Sequence, residues 1–314
     1  MISRRLLRIK ALLVLYAFFK NGAGSIQNAE KELFHSINKV EEMYYMLFLL
    51  IVEVRNFGEN KIEKARQKQI ATAEDLHPNT SFTDNKVINQ INESSGFHKY
   101  LKTSKITWIN YPELVKNLYN ELIETDFYKE YIKLDTIEYK DDKELVNFFF
   151  SEILYNSKEL YGVFEEQSVY WNDDADFVIG MVVKTIKEFK ENRPESVRYY
   201  PVFQKEEDSD FVKHLFRKTL INHVDYRNII EKQLENWDVE RIAYTDKLIL
   251  MMAVAEMMEF SSIPVNVTFN EYIEIARKYG SEKSSAFING VLDKMIQELK
   301  IEGKIIKTGR GLVE

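Results

Sequence analysis

Apolar residues recur along this chain at intervals of three and four, the period with which an α-helix presents one face to a core. The first such stretch covers 3–20, with Ser3 placed as its N-cap. A second, 28–57, carries Ile37, Val40, Tyr44, Leu47 and Ile51 on one face, and a polar, solvent-exposed helix follows over 61–73. His77-Pro78-Asn79-Thr80 breaks the pattern and Thr83 or Asp84 restarts it, while the β-branched run 103–111 reads as an irregular connection. Pro112 opens a helix reaching about residue 134, followed by helices over 141–166, with Phe148, Phe149 and Phe150, and over 173–190. The stretch 192–208, with Pro194 and Pro201, is the clearest internal boundary.

Beyond it the spacing predicts an amphipathic helix over 210–236 and another over 238–260. The second is apolar on nearly every side from Leu248 to Met258, broken only by Glu256, so it belongs at the centre of a core. Thr268 and Glu271 have the spacing of a capping box, Gly280 suits a left-handed helix stop, and Ser281 is placed to cap the last helix. That helix aligns Phe287, Ile288, Val291, Leu292, Met295, Ile296 and Leu299, and a basic, mobile tail is expected over 303–314. The prediction is an all-α protein.

Composition agrees: only 11 Gly and 5 Pro in 314 residues leave little material for the tight turns of a β-sandwich or barrel. The absence of cysteine excludes disulfides and thiolate-based metal or nucleophile chemistry. A net charge of −7 gives no global sign of nucleic-acid binding, yet residues 1–20 hold Arg4, Arg5, Arg8, Lys10 and Lys20 with no acid. That basic start, an apolar run and Gly22-Ala23-Gly24-Ser25 imitate a signal peptide; the competing reading is a core helix with a basic first turn. No other segment approaches the ~20 apolar residues of a membrane span, and no membrane association is expected.

The run Trp237-Asp238-Val239-Glu240-Arg241-Ile242, then Asp246 with Leu248-Ile249-Leu250 and Ala253-Val254-Ala255-Glu256, resembles the NusB family. The resemblance continues through Ile263-Pro264, Val267-Thr268-Phe269-Asn270-Glu271-Tyr272, Ala276, Tyr279-Gly280 and Phe287-Ile288-Asn289-Gly290-Val291-Leu292-Asp293. Arg4-Arg5, Arg8 and Leu15-Tyr16 are similar to the family's arginine-rich first helix, and 210–234 to its third. The resemblance implies two packed helical bundles, binding of single-stranded boxA-type RNA, and pairing with NusE, a small-subunit ribosomal protein, in an RNA polymerase elongation complex. It also makes Leu12, Leu13, Leu15 and Tyr16 packing residues of an uncleaved first helix. The expected organisation is a first subdomain of 1–25 with 209–236, an inserted helical region over 26–208, a second subdomain over 237–302, and the tail.

Arg4, Arg5 and Arg8 share one arc of the first helix, where guanidiniums can grip phosphates or stack on bases; the alternative is a solvated surface cluster. Lys283, Ser284 and Ser285 follow Gly280 at a helix start, where free amides suit an anion and Lys283 opposes the helix dipole unless an anion is near. Glu282 could supply that charge instead. Phe287 is placed either to stack on a base or to head the apolar face, and Asn289 to bond RNA or backbone. Close helix packing accounts for Gly290. By resemblance, Tyr16, Glu240 and Asp246 lie where the protein partner docks; compensation of the helix dipole is the other role for the two acids. Glu256 reads as a buried carboxylate bonded to backbone or Tyr.

No enzymatic activity, cofactor or metal is expected. His214, His223 and Asp225 share no face, Asn172 with Asp173, Asp174 and Asp176 reads as an acidic helix start, and no Gly-rich phosphate loop or nucleophile elbow occurs. The rival readings are a protein scaffold that has lost RNA binding, and a relative of the RNA-binding domain of RNA cytosine methyltransferases without its catalytic domain. The short stretch after the last signature helix weighs against the methyltransferase reading.

Overall fold

The computed structural model describes residues 1–22, 24–192, 197–234 and 242–312, all helix, turn and irregular chain with no strand among them. In chain order the helices are α1 (Arg4–Asn21), α2 (Ile26–Arg66), α3 (Ala73–Leu76), α4 (Lys86–Glu93), α5 (Ser95–Thr103), α6 (Pro112–Glu124), α7 (Asp126–Tyr131) and α8 (Tyr139–Phe148). Then come a π-helical segment (Phe149–Leu154), α9 (Lys158–Gln167), a 3₁₀ turn (Val169–Trp171) and α10 (Ala175–Glu188). After the loop come α11 (Glu206–Ile221), α12 (His223–Gln233), α13 (Tyr244–Glu259), α14 (Val265–Tyr279), α15 (Ser284–Ile301) and a 3₁₀ turn (Gly309–Leu312). The chain forms two compact units: one of Met1 and Asn38–Val202, the other of Ile2–Ile37 and the residues from Phe203 onward.

In the first unit α2 is the axis. Val40, Met43, Tyr44, Leu47, Phe48, Leu50, Ile51 and Val54 are all fully enclosed. Two indoles anchor to its carbonyls: Trp108 Nε1 donates to Met46 O at 2.9 Å and Trp171 Nε1 to Lys39 O at 2.8 Å. The buried Asn85 caps α4 by accepting from Val87 N and Ile88 N, and its Nδ2 donates to Asp142 O of α8. Asp142 in turn accepts from Lys86 N and from Tyr131 OH, so the polar groups of this junction satisfy one another.

Several helices expected to be continuous are broken without Gly or Pro. The 112–134 stretch divides at Thr125, whose hydroxyl caps α7 by accepting from Tyr128 N. The 141–166 stretch passes through the π segment and stops before Ser157, whose hydroxyl accepts from Leu160 N to start α9. The 210–236 stretch divides at Asn222, whose Nδ2 donates to Tyr226 OH at 3.0 Å. In each case a short polar side chain offers the backbone or a neighbouring hydroxyl a competing hydrogen bond. Conversely α2 runs to Arg66, absorbing the start of the polar helix expected from residue 61.

The second unit is organised around α13, on which α1, α11, α12, α14 and α15 all pack. Every residue from Leu248 to Met257 is buried, as its unbroken apolar surface requires. The hydroxyl of Ser3 caps α1 by accepting from Leu6 N at 3.2 Å. Near the start of α2, Glu30 pairs with Arg217 and Lys213 of α11.

Four local expectations are corrected here. Thr268 lies inside α14, which Pro264 precedes, so Thr268 and Glu271 form no capping box; their side chains serve the arginines described below. Gly280 has φ −95° and is not left-handed; glycine is needed because a Cβ would stand 2.3 Å from Ser284 Cβ and 2.7 Å from Ala276 O. Ser281 does not cap the last helix, which begins at Ser284, although Ser284 Oγ accepts from Ser281 N at 2.8 Å. The tail, finally, is docked through residue 312: Thr308 N donates to Ser261 O at 2.9 Å and Lys307 Nζ to Phe260 O at 2.8 Å.

Candidate nucleic-acid interface

The three arginines of α1 share an arc but not an environment. Arg8 is 2% exposed, and its Nε and Nη2 each meet a carboxylate oxygen of the fully buried Glu256 at 2.7 Å. Glu256 also accepts from Thr268 Oγ1 at 2.8 Å and Tyr272 OH at 3.2 Å. Burial works against charge on Arg8, but the hydrogen bond and charge of Glu256 outweigh it and the guanidinium pKa is raised. Burial and the adjacent Glu256 likewise hold Tyr272 well above the usual phenol range. Arg8 is therefore a core residue, without the exposed surface that contact with RNA requires. The expected tyrosine partner of Glu256 is present, but the main partner is a charge that lies far away in sequence.

Arg5 and Arg4 are about half exposed. Arg5 forms a two-point pair with Glu271 of α14, at 2.9 and 2.8 Å. That hydrogen bond holds the Glu271 carboxyl below its ordinary range, with Arg8 Nη1 contributing from 3.6 Å. Arg4 Nε reaches Asp208 at 2.9 Å, and its guanidinium lies over the Phe211 ring, 5.0 Å from the centroid. These residues line an open groove of about 720 Å³ whose other walls include Ser262, Ile263, Pro264 and Val267. Arg310 also lines it; nothing in the pattern of the tail marked that residue as part of a site.

The second predicted cluster divides in the same way. Ser284 is buried, and its hydroxyl donates to Asp246 Oδ2 at 2.8 Å, so it braces the helix start and is not available to an external anion. Lys283 is exposed with no ion-pair partner among the described residues, and Ser285 is partly exposed. Lys283, half-buried Phe287, Gly290 and Lys294 line a cleft of about 410 Å³. Asn289 is exposed, and no atom lies within 4 Å of a Cβ built on Gly290, so close helix packing does not explain that glycine.

Of the residues expected at the protein partner, Tyr16 is exposed and meets Tyr244 edge-on at 5.8 Å, with Lys20 over both rings. Glu240 lies outside the described residues, as does the signature stretch 237–241. Asp246 does not face solvent: it is buried in the first turn of α13, and burial raises its carboxyl pKa against the opposing hydrogen bond from Ser284. Its Oδ1 has no hydrogen-bond partner among the described residues. Because the folded pKa lies above the unfolded one, this group favours folding most at low pH and loses that contribution as pH rises through the folded value. Asp246→Asn is expected to stabilise the fold by about 1 kcal/mol at neutral pH. The gain should shrink on acidification, and thermal melts across the carboxylate range would show it; a variant less stable than the parent at neutral pH would contradict the assignment.

Among the described residues no helix is long and apolar enough to cross a membrane, and no cluster of His, Asp and Glu could hold a metal ion. The second unit is thus an all-helical bundle with a guanidinium-lined groove, the architecture of an RNA-binding adaptor. The sequence profile of the NusB family matches residues 180–297. The transcription antitermination protein NusB of Salinibacter ruber is 43% identical over 104 residues, 33% of this chain and 65% of that protein. Its counterpart from Chloroherpeton thalassium is 40% identical over 105 residues, 33% of this chain and 50% of the relative. That of Clostridium botulinum is 37% identical over 114 residues, 36% of this chain and 81% of the relative. The chain belongs to the NusB family, and it spans less than two thirds of the first two relatives. No solved structure matches. The matched segment supplies Glu256, Pro264 and Glu271 to the groove and its floor, while Arg4, Arg5, Arg8 and Arg310 lie outside it.

Proposed function

We propose that this protein is a transcription antitermination factor of the cytoplasm that acts by assembly and not by catalysis. In this reading single-stranded, boxA-type RNA lies in the Arg4–Arg5 groove while the α1 face bearing Tyr16 docks NusE within an RNA polymerase elongation complex. The carrying observation is the open groove with two half-exposed guanidiniums on the unit that contains the family segment. Lys283, Phe287 and Asn289 supply a second contact region, a cation beside a ring and a free amide, suited to a phosphate and a stacked base. Ser285 lies at the same helix start, whereas Ser284 and Asp246 act there through position alone.

Because Arg4 and Arg5 are paired with Asp208 and Glu271, an incoming phosphate replaces a carboxylate instead of meeting a bare cation. The carboxylates act as placeholders that keep the guanidiniums extended and planar to the groove before RNA arrives. Arg4→Gln with Arg5→Gln is expected to weaken binding to boxA-type RNA by at least about tenfold. The same double variant should lower the salt slope by about one unit, with the helical signal unchanged. Equal affinity of parent and variant at both low and physiological salt would remove the groove from the RNA site.

A further inference from the structure

We propose that the segment after α15, residues 304–312, is a strap that completes the RNA groove and supplies Arg310 as its uncommitted phosphate-binding guanidinium. The proposal rests on the RNA reading above and extends it to a part of the chain outside the family segment, which ends at residue 297.

The groove holds four guanidiniums, and three are already engaged: Arg4 by Asp208, Arg5 by Glu271, and Arg8 by Glu256. Arg310 is exposed and has no ion-pair partner among the described residues. It is therefore the groove cation whose charge is available to a phosphate without displacing a carboxylate. A charge of this kind adds most to the first electrostatic attraction of an RNA strand, before the paired arginines exchange partners.

The strap is built to hold that side chain in place. Gly303, at φ +68°, ends α15 and turns the chain back, with Lys304 N donating to Leu299 O at 2.9 Å. The chain then docks on the connection between α13 and α14 through Lys307 Nζ to Phe260 O and Thr308 N to Ser261 O. Burial lowers the pKa of Lys307, and its single carbonyl contact makes it an anchor and not a surface charge. Gly311 N donates to Thr308 O, closing the 3₁₀ turn that bears Arg310. Gly311 itself is pressed onto Ser261, where a Cβ would stand 1.9 Å from the carbonyl oxygen. The connection that receives the strap continues into Ser262, Ile263 and Pro264, which are groove walls. One loop thus positions both the wall of the groove and the residue that faces it.

The test compares full-length variants for binding to a boxA-type single-stranded RNA, with helicity followed by circular dichroism. Arg310→Gln is expected to weaken binding about three- to tenfold and to reduce the salt slope. Gly311→Ala, which dislodges the turn while keeping every charge, should reproduce most of that loss at unchanged helicity. Lys304→Gln removes the same charge from a strap residue that does not line the groove, and should stay within about twofold of the parent. If Arg310→Gln and Gly311→Ala bind like the parent while the Arg4, Arg5 double variant is weakened, the strap has no part in a groove that still binds RNA. Tighter binding by either strap variant would mean that the strap covers the groove, and the proposal would be overturned. A parent that binds no RNA would dispose of the RNA reading and of the strap's role together.

Discussion

Replacing Arg8 with Met is expected to cost about 3–5 kcal/mol of stability, the loss typical when one member of a buried ion pair is removed. Glu256 would keep its hydrogen bonds from Thr268 and Tyr272 but lose the two charged contacts at 2.7 Å. A buried carboxylate without its counter-ion favours protonation, so its folded pKa would rise above the unfolded value. The stability of Arg8→Met should then be greatest in acid and fall as pH rises through that value, opposite to ordinary acid denaturation. Adding Glu256→Gln removes the stranded charge while leaving an oxygen for Thr268 and Tyr272, and should recover much of the loss. Urea unfolding of the two single variants and the double gives the coupling directly. A loss below about 1 kcal/mol for Arg8→Met would show that the pair is dispensable. Under conditions where the variant is folded, RNA affinity should match the parent, which separates Arg8 from its exposed neighbours on α1.

Trp171→Ala is expected to destabilise the first unit by about 3–5 kcal/mol. The side chain is 2% exposed, packs edge-on against Phe164 at 5.6 Å, and donates its indole hydrogen to Lys39 O at 2.8 Å. Removing it opens a cavity beside the axial helix and leaves the carbonyl without its extra donor. Trp171→Phe retains much of the apolar volume and loses the hydrogen bond, so a smaller cost of about 1–2 kcal/mol is expected. Calorimetry reads both losses. Equal costs for Ala and Phe would place the weight on the hydrogen bond instead of on packing.

The all-helical class and the central place of α13 were legible because they depend on local periodicity. Leu248 to Met257 are apolar on every side, and only the middle of a bundle accommodates such a helix. Ser3 was legible for the same reason, since a cap is chosen by residues within one turn. The division of the arginines was not. Arg8 differs from Arg5 only in facing Glu256, a residue 248 positions away, and no local pattern carries that information. Ser284 and Asp246 escaped similarly, their pairing spanning 38 positions and turning two apparent surface residues into a buried brace. The breaks at Thr125, Ser157 and Asn222 were missed because their polar side chains compete with the helix weakly, and the outcome depends on what each neighbouring segment packs against. Arg310 could have been suspected only from the tight chemistry of Gly309 and Gly311 on either side of it.

The second unit is assembled from two stretches of chain separated by the whole of the first, which has consequences during synthesis. Helix α1 leaves the ribosome first, but Arg8 meets Glu256 only after 248 further residues have been added. At ~5–20 residues per second, that interval is roughly 10–50 s. Throughout it Leu7, Leu12 and Leu15, enclosed in the finished protein, have no bundle to enter. The nascent protein therefore displays, for most of its translation, a basic turn followed by an apolar helix, the same pattern that imitates an export signal. Chaperones and targeting factors that survey nascent chains would encounter it in that state, and the arrival of α13 withdraws it.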